Sequence, residues 1–222
     1  MAGAIELIVG PMFSGKTSEL ISRVRRETFA GRAAVLVRFR GDTRGAARAI
    51  ETHAELRQEA AAPSEAAAGI RVVAAAALGE VDAAELVVGV DEGQFFPDLP
   101  EVCERWAAAG RRVIVAALDA DAGRRPFGRV GELAPLCERV EKRDGVCMDC
   151  RRRPSAFTRR LAGAPAPSAP APGAIQVDIG GRERYRGVCR ECWLAAGPPL
   201  PELKGPALEE LAPIDPMAAT AT

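Results

Sequence analysis

Residues 10–17 read Gly10-Pro11-Met12-Phe13-Ser14-Gly15-Lys16-Thr17, an uninterrupted G-x-x-x-x-G-K-T. That spacing suits the cradling of a nucleoside triphosphate. The glycines let successive backbone N–H groups turn inward around a phosphate, and a helix starting there adds the positive end of its dipole. In such a loop Lys16 reaches the β/γ-phosphates and the Thr17 hydroxyl ligates Mg²⁺. A plain glycine turn between a strand and a helix is the competing reading. The full motif, set between an apolar run and a helical pattern, argues against it.

A second group closes the apolar run of residues 85–92, which ends in Asp91 and Glu92. Downstream of a phosphate loop, an aspartate at the carboxyl end of a buried strand is where a Mg²⁺-directed carboxylate lies. Strand ends of that kind open onto the ligand crevice of a parallel sheet. Asp91 would hold magnesium through its waters, and Glu92 can accept a proton from an attacking nucleophile. An acidic strand end of no chemical consequence is the alternative, and the loop upstream weighs against it. Gln94, in the turn that follows, completes an expected ATP-binding set of residues 10–17, Asp91, Glu92 and Gln94.

The third group is Cys147, Cys150, Cys189 and Cys192, two C-x-x-C knuckles within a total of six cysteines. Paired knuckles in a cytosolic chain read as a closed, tetrahedral Cys₄ zinc site, ahead of a redox pair or a disulfide framework. Cys103 and Cys137 stand alone in helical patterns and read as small buried apolar residues.

The elements that must position these groups follow from periodicity. Residues 5–9 form an apolar run with Glu6 as its one polar member, suited to a buried strand. Residues 16–29 place Leu20, Ile21 and Val24 at helical spacing, with Arg23, Arg25 and Arg26 on the polar side. Further strands are expected at 33–39, 70–74, 85–90 and 112–118, and helices at 99–109 and 130–137. Such alternation means an α/β fold, a parallel sheet flanked by helices. Residues 140–143 lead into the first knuckle. Asp119 again sits at a strand end, and Arg124, Arg125 and Arg129 after it read either as phosphoryl contacts or as solvent-facing residues. Residues 162–174 are a Pro/Ala stretch expected to be a stiff exposed loop. Residues 175–179 alternate like a strand, and from residue 197 a disordered tail is expected. His53, the sole histidine, has no visible partner and takes no role.

Composition limits the rest. The 222 residues suit one α/β core with a small appendage. Lys+Arg and Asp+Glu both number 30, so the electrostatic footprint of a nucleic-acid or anionic-membrane partner is absent. The arginines at 151–153 and 159–160 read as a solvated face. With no leader-like start and no apolar run near the ~20 residues of a membrane helix, a soluble cytoplasmic protein is expected.

Together these stretches resemble the zinc-containing, cytosolic-type (type II) thymidine kinases. The resemblance rests on GPMFSGKT at 10–17, DTR at 42–44, DEGQFFPD at 91–98, VIVAALD at 113–119 and RPFG at 125–128. It continues through VCMDC at 146–150, FTRRL at 157–161 and IGG-x-x-x-Y-x-x-VC at 179–189. It implies a RecA-like P-loop kinase domain over 1–144, a zinc-ribbon-like lasso domain over 145–196 and a tail over 197–222. It also implies transfer of phosphate from ATP to the thymidine 5′-hydroxyl, with Glu92 as general base, in salvage for DNA synthesis. Met12, Phe95, Leu118, Phe127, Thr158 and Tyr185 would line the nucleoside pocket beneath the lasso. A homotetramer inhibited by thymidine triphosphate is the further expectation. Ala122 departs from the family, where an aromatic is usual, and so do Ala54 and the Pro/Ala stretch. Two other readings stay open on the residues alone. One is a nucleotide kinase with a zinc-clamped lid and a phosphate acceptor. The other is a RecA-like ATPase on DNA, which the neutral charge and scarcity of aromatics disfavour.

Overall fold

A computed structural model describes residues 3–42, 70–164 and 180–196 of the chain. Residues 43–44 of the DTR stretch, His53, the Pro/Ala stretch beyond residue 164, the expected strand at 175–179 and the tail lie outside the described residues.

Six parallel strands form the central sheet: β1 (Ala4–Val9), β2 (Ala34–Phe39), β3 (Ile70–Ala75), β4 (Val87–Val90), β5 (Arg112–Ala117) and β6 (Arg139–Lys142). Their order is β3-β2-β4-β5-β1-β6, with β1 and β4 both beside β5. Side chains alternate across the pleat, and the core divides accordingly. Ile5, Leu7, Val113 and Val115 pack on one face with Val102, Cys103 and Trp106 of helix α2 (Leu99–Ala108). Ile8, Ile114 and Ala116 face the other way, against Leu20 and Val24 of helix α1 (Lys16–Phe29). Both faces are covered, which is why the strands read as unbroken apolar runs.

Two readings from periodicity change. Residues 130–137 make only a single helical turn, α3 (Val130–Leu133), followed by a 3₁₀ turn at Ala134–Leu136, and Cys137 is half-buried after it. The run before the first knuckle is the edge strand β6, paired with β1 and exposed at Arg139, Val140 and Lys142.

Arg23 is a further correction. It is 6% exposed, and its guanidinium binds Glu6 at 2.8 Å, Glu19 at 2.9 Å and Glu141 at 2.6 Å. Glu6 also pairs with Arg112. The polar residue inside β1 is therefore matched by a cation on the helix packed over it, as a buried charge requires. Burial would lower the Arg23 pKa, but the hydrogen bonds that it donates to Glu19, Glu141 and Glu6 together outweigh burial and raise it.

Beyond β6 the chain builds two small antiparallel ladders. One pairs β7 (Gly145–Val146) with β8 (Pro154–Ser155), the other β9 (Phe157–Arg160) with β10 (Tyr185–Val188). A short helix α4 (Arg190–Ala196) closes this region, and Trp193 is fully buried within it.

Candidate active site and cysteine cluster

The carboxyl ends of β1, β4 and β5 converge on a cavity of about 630 Å³. From the phosphate loop, Met12, Phe13, Gly15, Lys16 and Thr17 line it; from the end of β4, Asp91, Glu92, Gln94 and Phe95 do. Leu118, Asp121, Ala122 and Phe127 form its wall after β5, while Thr158 of β9 and Tyr185 of β10 reach it from the cysteine-bearing region. All six residues expected around a nucleoside share this cavity. Gly10, Pro11 and Ser14 do not line it; they shape the loop instead. The Pro11 carbonyl accepts hydrogen bonds from Ser14 Oγ at 2.9 Å and Lys16 Nζ at 2.7 Å.

Local backbone conformation explains how the loop is held. Gly15 has a φ of 77° at the helix start, a conformation that favours glycine. Phe13 and Glu92 have φ of 66° and 56°, left-handed and unfavourable for side chains of their size. Strain of this kind persists where the surroundings over-determine it, typically at functional sites. Around Glu92 the surroundings are specific. The buried Gln94 amide donates to Glu92 Oε2 at 2.6 Å, and its oxygen accepts the Leu118 N–H at 2.9 Å. Gly128, with a φ of 55°, sits so close that a Cβ there would lie 2.1 Å from the Gln94 carbonyl oxygen.

The Thr17 hydroxyl donates to Asp91 Oδ1 at 3.0 Å. The hydroxyl and carboxylate that P-loop enzymes direct at magnesium are thus already adjacent, and this donor set fits a hard cation. Met12 N–H donates to Thr158 Oγ1 at 2.9 Å, tying the phosphate loop to β9.

The four knuckle cysteines gather as expected. Their sulfur atoms all lie within 4.8 Å of one another. Tetrahedral zinc with Zn–S bonds of about 2.3 Å needs sulfurs roughly 3.8 Å apart, so the cluster fits. Burial opposes ionisation of Cys147, but backbone N–H groups, that of Cys189 first, bring its thiol down to about 6. Hydrogen bonding to Cys189, with burial next, pushes Cys192 up to about 12. A cation held here would favour the thiolate form of Cys192 as well. The knuckle is braced from outside: Asp149 pairs with Arg159 at 2.6 Å and with Arg186 at 2.9 Å, and Arg159 also donates to the Cys192 carbonyl. Arg159 is buried rather than part of a solvated face, whereas Arg151, Arg152 and Arg153 are exposed.

Of the arginines after β5, Arg129 pairs with Glu101 at 2.7 Å and Glu132 at 2.5 Å, and Arg125 is exposed. Neither lines the cavity. Sequence reasoning did not single out Asp121, Gly181, Arg182 or Glu183, which do, and it read Arg160, a further lining residue, as part of a solvated face. The glycine pair at 180–181 was the one available signal, because it breaks the strand pattern before Tyr185.

A parallel sheet opening on a phosphate loop, with a Thr–Asp pair and a carboxylate beside it, defines a P-loop phosphotransferase. The family model for thymidine kinase matches residues 3–193. The chain is 42% identical to the cytosolic thymidine kinase of Gallus gallus over 196 residues, spanning 88% of this chain and 79% of that protein. It is 42% identical to the cytosolic thymidine kinase of Homo sapiens over 214 residues, spanning 96% of this chain and 81% of that one. The thymidine kinase of Rabbit fibroma virus is 40% identical over 196 residues, spanning 86% of this chain and 96% of the viral protein. The chain belongs to the thymidine kinase family. Among the described residues no helix is long and apolar enough to cross a membrane.

Proposed function

We propose that this chain transfers the γ-phosphoryl group of ATP to the 5′-hydroxyl of thymidine, with deoxyuridine as a second acceptor. The observation that carries this reading is the single cavity lined by Lys16, Thr17, Asp91 and Glu92 together with Met12, Phe95, Leu118, Phe127, Thr158 and Tyr185. Phosphate-directed groups and an apolar, aromatic wall thus share one space.

The phosphate loop and Lys16 take the ATP phosphates, and Thr17 with Asp91 would hold Mg²⁺. When bound, that ion neutralises charge on the phosphates. Phosphoryl transfer asks mainly for alignment and electrostatic stabilisation. Glu92 accepts the 5′-hydroxyl proton as the oxygen attacks the γ-phosphorus, and ADP departs. Gln94 holds the Glu92 carboxylate in place rather than binding ATP directly. The aromatic wall of Phe95, Phe127 and Tyr185 takes the thymine, and the lasso domain of residues 145–196, closed by zinc on its four cysteines, keeps water from the phosphoryl group.

The role is deoxynucleoside salvage for DNA synthesis in the cytoplasm, in a homotetramer inhibited by thymidine triphosphate, as the family resemblance suggests. A phosphotransfer assay with Mg-ATP over nucleosides, nucleoside monophosphates and single-stranded DNA tests it. Product from thymidine is expected; turnover only with monophosphates, or ATP hydrolysis stimulated by DNA, would overturn it.

A further inference from the structure

Between β5 and Arg129 the chain supplies a cavity wall through Leu118, Asp121, Ala122 and Phe127. Arg124 lies in this segment, with a left-handed φ of 63°, yet it is not a cavity residue. Its guanidinium stands 4.4 Å from the centre of the Phe157 ring and 4.9 Å from that of Trp193. Both rings belong to the cysteine cluster: Trp193 is fully buried with Cys147, Val188 and Cys189, and Phe157 packs against them. Arg124 Nη1 is buried without a hydrogen-bond partner among the described residues. A buried guanidinium nitrogen without a hydrogen bond is costly, and on this half-buried side chain the two aromatic faces offset that cost.

The segment is held at its start as well. Asp119 pairs with Lys142 at 2.6 Å, and the Lys142 ammonium lies 5.9 Å from the same Phe157 ring. Phe157 adjoins Thr158, whose hydroxyl accepts the Met12 N–H, and it pairs in register with Val188 beside Cys189. Phe157 and its neighbour Thr158 therefore link the cysteine cluster, the wall after β5 and the phosphate loop.

We propose that Arg124 is a positioning residue through which the cysteine cluster holds the 119–127 wall in place for the nucleoside. Metal held by the cysteines would fix Phe157 and Trp193; the two rings fix Arg124, and Arg124 fixes the wall. The nucleoside part rests on the function proposed above, whereas the coupling between cluster and wall does not.

The test uses the full, zinc-loaded chain with Arg124→Leu, Arg124→Lys, Phe157→Leu and the Arg124→Leu/Phe157→Leu double variant. Steady-state kinetics for thymidine and ATP are read beside amide hydrogen exchange over 119–127 and zinc content. Arg124→Leu should raise the thymidine KM about tenfold, with kcat and the ATP KM within about threefold, the pattern of lost binding rather than lost chemistry. Exchange over 119–127 should quicken at full zinc content, and Arg124→Lys should recover part of both effects. The double variant should be no worse than the more impaired single one, as expected for partners in one contact. Chelating zinc should quicken exchange over 119–127 in the unmodified chain and add little in Arg124→Leu. Unchanged exchange and thymidine KM in Arg124→Leu would overturn the proposal. So would a fall in kcat at constant thymidine KM, which would make Arg124 a phosphoryl contact. A protein that phosphorylates no thymidine would remove the functional reading while the exchange measurements still decided the coupling.

Discussion

The fully buried Gln94 donates through its side-chain amide to the half-buried Glu92 carboxylate at 2.6 Å. The amide oxygen is meanwhile taken by the Leu118 N–H, so Gln94 cannot swing without breaking both bonds. Gln94→Met keeps the side-chain length and loses the anchor. A hydrogen bond to a charged group is worth about 1.5–3 kcal/mol. Turnover should therefore fall roughly 10–100-fold, at 1.36 kcal/mol per decade, while the ATP KM stays within a few-fold. A rise in ATP KM at constant kcat would instead make Gln94 a nucleotide ligand.

Glu92→Gln preserves size and hydrogen bonding but cannot take a proton. Turnover should drop by roughly 10²–10⁴-fold, the usual worth of a general base, with thymidine binding largely intact. Lys16→Ala should act on ATP use instead, because a charge on the phosphates is lost. Single-turnover kinetics beside equilibrium thymidine binding separate the two, and near-normal turnover in Glu92→Gln removes it from the mechanism.

What the sequence made legible was local. The phosphate loop and the cysteine knuckles are contiguous strings, and doubly covered strands announce themselves as apolar runs. What it hid depends on distant partners. Arg23 looked solvent-facing because Glu6 and Glu141, which draw it inward, lie 17 and 118 residues away. The edge strand Arg139–Lys142 carries charges at three of its four positions, so no apolar period marks it. Arg124 offered no hint that it would stack on rings of the cysteine cluster. The cavity wall was foreseeable only through family resemblance, since Leu118, Thr158 and Tyr185 share no spacing.

The Arg23 network gives a stability prediction with a definite sign. Arg23 first of all, by its hydrogen bond, holds the Glu141 pKa below its ordinary value of 4.5. A depressed carboxylate contributes stability that is full above the unfolded value and is lost as pH falls through the folded one. Unfolding midpoints should thus decline on acidification below about 4.5, and Arg23→Met should flatten that decline. At neutral pH the same variant leaves Glu6 buried with only Arg112, and breaking such a network costs roughly 3–5 kcal/mol. Denaturant melts at several pH values check both. An unchanged acid slope in Arg23→Met would sink the assignment.

For the cysteines, elemental analysis should find zinc bound by Cys147, Cys150, Cys189 and Cys192. Cys150→Ser should loosen the region that carries Thr158 and Tyr185 and weaken thymidine capture. The core around β1, β4 and β5 makes its own contacts and should stay folded. Purified protein with no metal, or with these thiols found as disulfides by mass spectrometry, defeats the zinc reading.

Ala122 lines the cavity at the position where the family resemblance leads one to expect an aromatic side chain. Truncating a buried aromatic to alanine costs about 3–5 kcal/mol in a closed core. A cavity open to solvent refills with water, so the penalty on binding should be nearer 1–2 kcal/mol, or roughly 5–30-fold in affinity. The chain should therefore phosphorylate thymidine with a raised KM and tolerate bulkier 5-substituents on deoxyuridine. Ala122→Phe should lower the thymidine KM by about that factor and narrow the range of analogues, with kcat little changed. The side chain has to enter a wall whose backbone is fixed by Asp121, which accepts the Gly123 and Arg125 N–H groups at 2.8 Å each. If Ala122→Phe binds thymidine no better, that turn directs position 122 away from the base, and the extra room in the cavity is not what sets selectivity.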